Sequence, residues 1–483
     1  MRSYRVSQII NQMQFNNGLS WALAVVFLLL SITAFQPILL VAAAVNIVVS
    51  SLHSLLVFLI KRNRINLEQP NRLISLSAVL FILGLAAGNI FSFISGLFLV
   101  KKVITTAYIY SIYMVLVDLV MIVVSGLNLF KPFVSNTFLP TLYGLVAILL
   151  FHLFILIKGD QWYSWSKPLK HTLLVLLGLT TITGNVLALF VVVSMVRFDQ
   201  NLSGERRQTS VREKLTRNHA ALLGLFFITF LVAMAVTSNW TFSQTFAVQN
   251  NYQNILQKPS LAYPFGTDNY GRDVFSRIIF GSQISLSVGL LSTLLPFFLG
   301  GSLGAISGFY GNRTDSIIMR LLDVLYAIPG MLLAITIVAA FGASTTNLII
   351  ALSLGSIPSY ARTMRANVMQ VANYEYVEAA RSLGQSNLFI IRKHIIPNAM
   401  APMIIRSTLT IGTAVISTSS LSYLGLGVEA HVPEWGNILR IGSEYLETNP
   451  YLAIYPGLAI ILLVLSFNFL GDGLRDATDP KLN

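Results

Sequence analysis

The residues of this chain that could do chemistry are few, and none is arranged for making or breaking bonds. There is no cysteine among the 483 residues, which removes thiolate nucleophiles, disulfides, iron–sulfur clusters and thiolate zinc sites. The six histidines share no metal-ligand spacing with acidic residues, no Ser-His-Asp arrangement can be argued, and no Gly-x4-Gly-Lys-Ser/Thr phosphate loop occurs. What remains is charge in unusual places. Asp118 sits inside the apolar run Met114-Val-Leu-Val-Asp118-Leu-Val-Met. A short acid–base segment reads Gly266-Thr267-Asp268-Asn-Tyr-Gly271-Arg272-Asp273. A third stretch reads Tyr374-Glu-Tyr-Val-Glu378-Ala379-Ala380-Arg381-Ser-Leu-Gly384, followed nine residues later by His394-Ile-Ile-Pro397-Asn398. Such groups serve recognition and mechanical coupling. A carboxylate at the centre of a span costs roughly 2.5–3.5 kcal/mol on insertion scales, so Asp118 must face protein or water and have a partner. His53, Asn89, His152 and Asn185 are candidates. A polar clamp between helices is favoured over a proton- or ion-coupling role.

The elements that position these residues are membrane spans. Hydrophobic residues make up 55% of the chain and charged ones 11%, less than half the ~25% of an average soluble domain. With a mean hydropathy of +0.71, this excludes a disordered chain, a disulfide scaffold and a soluble nucleic-acid binder. Apolar runs occupy Leu19–Phe35, Ile38–Ile60, Leu73–Val100, Ile104–Phe130, Phe138–Ile157 and Leu173–Val196, then Ala220–Val236, Ile284–Phe309, Leu325–Phe341, Leu348–Ala361, Ser407–Leu424 and Leu452–Leu470. The tenth is short and interrupted by Pro358. The pattern predicts an all-α integral membrane protein of about twelve transmembrane helices, at ~20 residues each. Met1–Phe35 is read as an uncleaved first span, because no small-x-small site follows it.

Orientation follows from the basic residues. Placing both termini in the cytoplasm puts most of the 32 lysines and arginines inside, among them Lys61, Arg62, Arg64, Arg72, Arg206, Arg207, Arg362, Arg365, Arg392 and Lys393. Trp162, Trp165, Trp240 and Trp435 then lie near the outer face. The net charge of +13 needs a membrane and no nucleic-acid partner. Three regions result: a six-span domain at 1–196, a basic linker at 197–219 lying on anionic lipid headgroups, and a second membrane domain at 220–483. Two loops exceed a tight turn, Thr237–Gln283 outside and Arg362–Arg406 inside, and long loops carry function.

The inner loop reads as a helix, a glycine stop and a second short helix ended by proline. Val368, Val371, Tyr374 and Val377 recur at helical spacing, which predicts a half-buried helix on the membrane face. Glu378 and Arg381 form an i,i+3 pair worth only a few tenths of a kcal/mol, while Ala379 and Ala380 allow close approach by another protein. An amphipathic surface helix without a partner has the same pattern. In the outer loop, Gly266 and Gly271 frame a structured turn. Asp268, Arg272 and Asp273 either pair with one another, the favoured reading, or contact a partner. Arg320 and Asp323 fit an amphipathic elbow helix before the ninth run.

Glu-Ala-Ala, three residues, Gly, nine residues and x-x-Ile-Pro resembles the EAA loop of ABC-transporter permeases, with His394 where the general consensus has Ile. Pro264-Phe-Gly266-Thr267-Asp268-Asn-Tyr-Gly271-Arg272-Asp273-Val-Phe-Ser-Arg277 and Gly471-Asp472-Gly473-Leu-Arg475-Asp476-Ala-Thr-Asp479-Pro480 are similar to motifs of the branch importing dipeptides, oligopeptides or nickel. The resemblance covers roughly 212–483. It implies a type I importer permease core of six spans, with the loop at about 374–400 acting as a coupling helix in a groove of a cytoplasmic ATPase. Glu378, Ala379, Ala380 and Gly384 would dock, and Pro397 and Asn398 would close the element. It further implies a non-catalytic subunit, ATP and Mg bound by separate partner ATPases, a second homologous permease, an extracytoplasmic substrate-binding protein, and a prokaryotic cytoplasmic membrane. The six N-terminal spans depart from the family, in which a single span precedes the outer loop. Nothing in them resembles a known domain. A single-chain secondary transporter of twelve spans is the rival from another class. Against it, the two six-span halves look unlike each other, and duplicated halves often retain resemblance.

Overall fold

A computed structural model describes residues 2–34, 37–62, 72–101, 104–201, 210–429 and 431–479. Phe35, Arg64, Arg206, Arg207 and Pro480, named above, lie outside the described residues. The elements are helices in the order α1 (Arg2–Ala34), α2 (Pro37–Lys61), α3 (Arg72–Leu83), α4 (Ile90–Val100), α5 (Thr106–Gly126), α6 (Phe138–Lys158), α7 (Lys167–Leu179), α8 (Leu187–Asn201), α9 (Val211–Leu215) and α10 (His219–Thr241). They continue with α11 (Gln244–Val248), α12 (Val274–Tyr310), α13 (Asn312–Tyr326), α14 (Gly330–Phe341), α15 (Thr345–Ala372), α16 (Glu375–Ser382), α17 (Asn387–Ile390), α18 (Ile396–Tyr423), α19 (Trp435–Ser443) and α20 (Tyr451–Thr478). Among the described residues the one β pairing is an isolated bridge of Thr267 with Asp273. The all-α reading of the sequence is what the chain adopts.

Seven helices among the described residues are long and apolar enough to cross a membrane. An eighth results if α13 and α14, which meet at a 75° bend, form one broken span. The count of twelve stays an expectation, and the reasons are local. The third and sixth apolar runs are each interrupted in the middle, at Gly88-Asn89 and Gly184-Asn185. Both glycines adopt left-handed backbone, φ 77° and 84°, after a 3-10 turn. The tenth run is not broken at Pro358: α15 passes through it. A helix-interior proline removes a backbone bond and crowds the preceding turn, and here close packing on α12 holds the helix. A Cβ at Gly300, Gly304 or Gly308 would collide with the carbonyl of Ile357, Ala361 or Arg365. The small-xxx-small stripe is what lets the two backbones touch.

By packing, the chain forms two compact units, 1–116 with 151–178 and 187–209, and 117–150 with 179–186 and 210–483. In the first, Met13 of α1, Leu56 and Ile60 of α2 and Ile74 and Phe81 of α3 form an apolar core. A polar seam runs beside it. Asn16 donates to the Ser95 hydroxyl at 3.0 Å, Ser20 to the Asn89 carboxamide oxygen at 3.0 Å, and Asn46 to the Ala87 carbonyl at 2.9 Å. The break in the third run is therefore held from two helices.

In the second unit, Trp435 of α19 is fully buried among Val274, Ile278, Ile411, Val415, Leu452 and Phe467, which come from α12, α18 and α20. Its indole donates to the Ile278 carbonyl at 2.9 Å. A second cluster joins Tyr360, Met364, Val368 and Val371 of α15 to Val377 and Ala380 of α16 and to Ala399 and Met403 of α18.

The six N-terminal runs also repeat. Gly84-Leu-Ala-Ala-Gly88-Asn89-Ile90 in the third run matches Gly178-Leu-Thr-Thr-Ile-Thr-Gly184-Asn185-Val186 in the sixth. The helix before each carries an interior histidine and ends in Ile-Lys, His53 to Lys61 in α2 and His152 to Lys158 in α6. In each copy the break asparagine bonds the copy's first helix: Ser20 with Asn89, and Asn185 with Asp118.

Candidate functional site: the inner loop and the outer motif

The inner loop leaves α15 at Asn373, and Tyr374 is extended. The single helix expected over Val368–Val377 is thus two helices. Val368 and Val371 end α15, Val377 begins the buried side of α16, and Tyr374 faces out between them. The reason is capping: the Asn373 amide donates to the Gln370 carbonyl and the Tyr374 amide to that of Val371, closing the last turn of α15, and Tyr374 restarts the chain as the N-cap of α16. The new helix is eight residues long. It buries Val377 and Ala380 and exposes Glu375, Glu378, Ala379 and Arg381. Gly384 sits at φ 72° just beyond. Its amide donates to the Arg381 carbonyl at 2.9 Å and that of Gln385 to Ala380 at 3.1 Å, a Schellman stop. The Arg381 guanidinium lies 5.2 Å from the Phe309 ring. Among the described residues it forms no ion pair with Glu378, so the expected i,i+3 pair gives way to a cation–π contact.

Pro397 does not end a second helix, as the sequence pattern suggested, but opens α18 from within its first turn. There its missing N–H costs nothing. A π turn at Ile391–Ile395 joins α17 to α18, and such single π turns recur at functional sites. The Asn398 carboxamide donates to the His394 carbonyl at 2.6 Å across it. His394 faces Phe389 and Tyr376, with ring centroids 5.8 and 6.3 Å away. Tyr374, Tyr376, Leu383, Leu388 and Phe389 are exposed around Ala379, Leu383 at 80% and Leu388 at 64%. Glu375, Glu378, Arg392 and Lys393 rim them. The loop thus exposes apolar and charged side chains together.

The outer motif is turned inward. Thr267, Asp268, Arg272, Asp273 and Arg277 are all buried. Gly266 and Gly271 have φ 73° and 72°, and a Cβ on Gly271 would strike the Asn251 carbonyl. Thr267 donates to the Asn254 carbonyl and accepts from the Gln257 amide at 2.8 Å. One Asp268 oxygen takes the amides of Tyr270 and Arg272, each at 2.9 Å. The other meets Arg272 Nε at 2.8 Å and Arg277 Nε at 3.7 Å. Asp273 does not join this pair. It caps α12, accepting from the amides of Phe275 and Ser276 and from the Ser276 hydroxyl. Its charge is met by Lys131 at 2.6 Å. Lys131 was absent from the sequence reading because 142 residues separate it from Asp273 and no local pattern marks it.

Two other expectations can be placed. Asp118 is buried and accepts at 2.8 Å from the carboxamide of Asn185, which is among the four named candidates. The elbow is α13, which carries Arg320 and Asp323. Arg365 of α15 grips its Asp315 through two bonds of 2.6 and 2.5 Å, and Arg362 holds Asp323 at 2.6 Å. In the C-terminal motif, Gly471 and Gly473 face Thr408 and Ala221 with no room for a Cβ, and Asp476 accepts from Asn218 at 3.2 Å. No group of three or more histidine or acidic residues could hold a metal among the described residues.

Two family models match this chain. One, the binding-protein-dependent transport system inner membrane component, spans 300–483. The other, the N-terminal TM domain of oligopeptide transport permease C, spans 209–259. The dipeptide transport system permease protein DppC of Alkalihalophilus pseudofirmus is 40% identical over 270 residues, 56% of this chain and 88% of its own. The glutathione transport system permease proteins GsiD of Pectobacterium atrosepticum and Shigella sonnei are 40% and 41% identical over 269 residues, 56% of this chain and 89% of theirs. Among solved structures, an inward-facing form of the MetNI methionine ABC transporter aligns with 42% of this chain and 96% of its own, at 20% identity and a TM-score of 0.35. Subunits of this kind are non-catalytic. With three motifs in order and relatives matched over nearly their whole length, the chain belongs to the permeases of binding-protein-dependent ABC importers, in the dipeptide, oligopeptide and nickel branch, and is a multi-pass protein of the inner membrane.

Proposed function

We propose that this chain is the membrane-spanning permease subunit of an ATP-driven importer for dipeptides or oligopeptides. Separate ATPase subunits, which bind ATP and Mg, dock on α16. A second homologous permease completes the pathway, and an extracytoplasmic binding protein delivers substrate. Transport proceeds by alternating access. The observation that carries the reading is the apolar surface of Tyr376, Leu383, Leu388 and Phe389 around exposed Ala379, placed on the family's EAA sequence. Moving a two-state transporter from 1:99 to 99:1 takes about 5.5 kcal/mol of differential binding. A packed patch of this kind, tightened when the partner ATPases close, can supply that, whereas one exposed Glu378 carboxylate cannot. The relatives reported above are dipeptide and glutathione transport permeases, which favours a peptide over nickel. Family membership also displaces the single-chain secondary carrier.

Burial makes the test specific. Ala379 is exposed and Ala380 is packed. Ala379→Arg should therefore abolish docking while the permease still folds, and Gly384→Arg should do the same with added backbone strain. Tagged protein purified in mild detergent is expected to bring down an ATPase and a second permease. The ATPase should be lost from Ala379→Arg, with the second permease retained. Recovery of the wild-type chain without any nucleotide-binding partner, even after crosslinking, sinks the reading.

A further inference from the structure

The turn between α5 and α6 belongs to the N-terminal region, outside the segments that match the family, yet it packs on the family's outer motif. Lys131 leaves this turn and enters a box closed on every side. Its side chain is 1% exposed and that of Asp273 is 0%. Nζ lies 2.6 Å from the Asp273 carboxylate and 2.6 Å from the Ser276 hydroxyl. The rings of Phe246 and Phe242 stand 4.9 and 5.5 Å from the ammonium. The same turn is fastened at three further points. Asn128 donates to the Thr241 carbonyl at 3.0 Å, Thr137 donates to the Trp240 carbonyl at 3.0 Å, and Phe133 stacks on Phe246 at 4.5 Å. Every contact falls on the end of α10, on α11 or on the first turn of α12.

We propose that this turn is a clamp built into the chain, and that Lys131 is a positioning residue that sets the outer end of α12. Asp273 is the N-cap of a 37-residue helix whose glycine stripe packs on α15. Lys131 is the cation set against this buried carboxylate, and removing one partner of a buried pair is strongly destabilising. Here a residue of the N-terminal region supplies that cation. Residues 117–150 of the added region are then a working part of the permease's outer face.

The test uses the full chain in detergent and reads amide hydrogen exchange, which does not depend on the importer reading. Lys131→Met leaves Asp273 buried and unpaired. It is expected to speed exchange at 240–248 and 273–280 by about tenfold or more, while 375–382 stays unchanged. Lys131→Arg, which keeps the cation, should stay near wild type. Lys131→Met with Asp273→Asn removes both charges and keeps a side-chain oxygen as the cap, so most of the protection should return. If Lys131→Met fails to accumulate, recovery of protein by the double variant carries the same information. Unchanged exchange in Lys131→Met overturns the clamp, and a double variant as loose as Lys131→Met overturns its electrostatic basis. A second arm, which rests on the importer reading, measures labelled dipeptide uptake by cells. Lys131→Met should lower the maximal rate and the double variant restore it. Loosened exchange with unaltered uptake overturns the positioning role alone.

Discussion

Glu434 is a carboxyl out of reach of bulk solvent. It is fully buried at the N-cap of α19, where it accepts from the amides of Gly436 at 2.8 Å and Asn437 at 3.1 Å and from the Ser419 hydroxyl at 3.3 Å. Burial pushes its pKa up, and the amides and hydroxyl oppose the rise without cancelling it. A carboxyl whose pKa is raised on folding contributes stability that is present below its unfolded value, ~4.3, and is lost as pH rises through the folded value. Wild type should therefore lose stability relative to Glu434→Gln as pH climbs from about 4 toward 7. Unfolding of both proteins in detergent across that range checks it, and a gap that does not change with pH counts against it.

At the scale of elements, backbone contact between α12 and α15 is the feature most sensitive to one atom. Gly304 lies where any Cβ meets the Ala361 carbonyl, while Gly144 in α6 has nothing within 4 Å. Gly304→Val should cost 1–3 kcal/mol or more by overpacking, to order of magnitude. Gly144→Ala should be neutral or gain up to ~1 kcal/mol from helix propensity. Thermal unfolding of the two variants separates these outcomes; equal effects would mean that the stripe does not hold the helices together. The breaks at Gly88-Asn89 and Gly184-Asn185 are hidden by hydropathy, because both lie in unbroken apolar runs. A window that averages over ~20 residues sees one span where the chain makes two helices and a polar joint. Pro358 misleads in the other direction. It reads as an interruption, yet the helix continues where tertiary contact constrains its backbone.

At the scale of the molecule, the packing units do not follow the linker. Residues 117–150 pack with 210–483, although a basic stretch of sequence separates them. Cutting the chain within 202–209, through an inserted protease site, should therefore leave the two fragments together on gel filtration in mild detergent. Separation after the cut would show that the turn carrying Lys131 does not hold the parts. Removing 1–209 altogether should be worse than cutting, because it takes the cation from Asp273 and uncovers Phe242 and Phe246.

Sequence alone determined that this protein lives in a membrane, is built of helices and carries the motifs of an importer permease. Hydropathy is a sum over neighbouring residues, and the motifs are short runs whose glycines and alanines mark backbone that must turn or approach closely. Gly384 at a helix stop and Gly266 and Gly271 in left-handed turns were legible for that reason. Only the tertiary structure decided which charges meet. Asp268 pairs with Arg272 four residues away, as proximity suggests, but Asp273 reaches across to Lys131. It also decided which alanine of the EAA sequence faces out and that Pro397 starts a helix. Exposure and long-range pairing depend on where separate helices pack, and no local pattern in the chain records that.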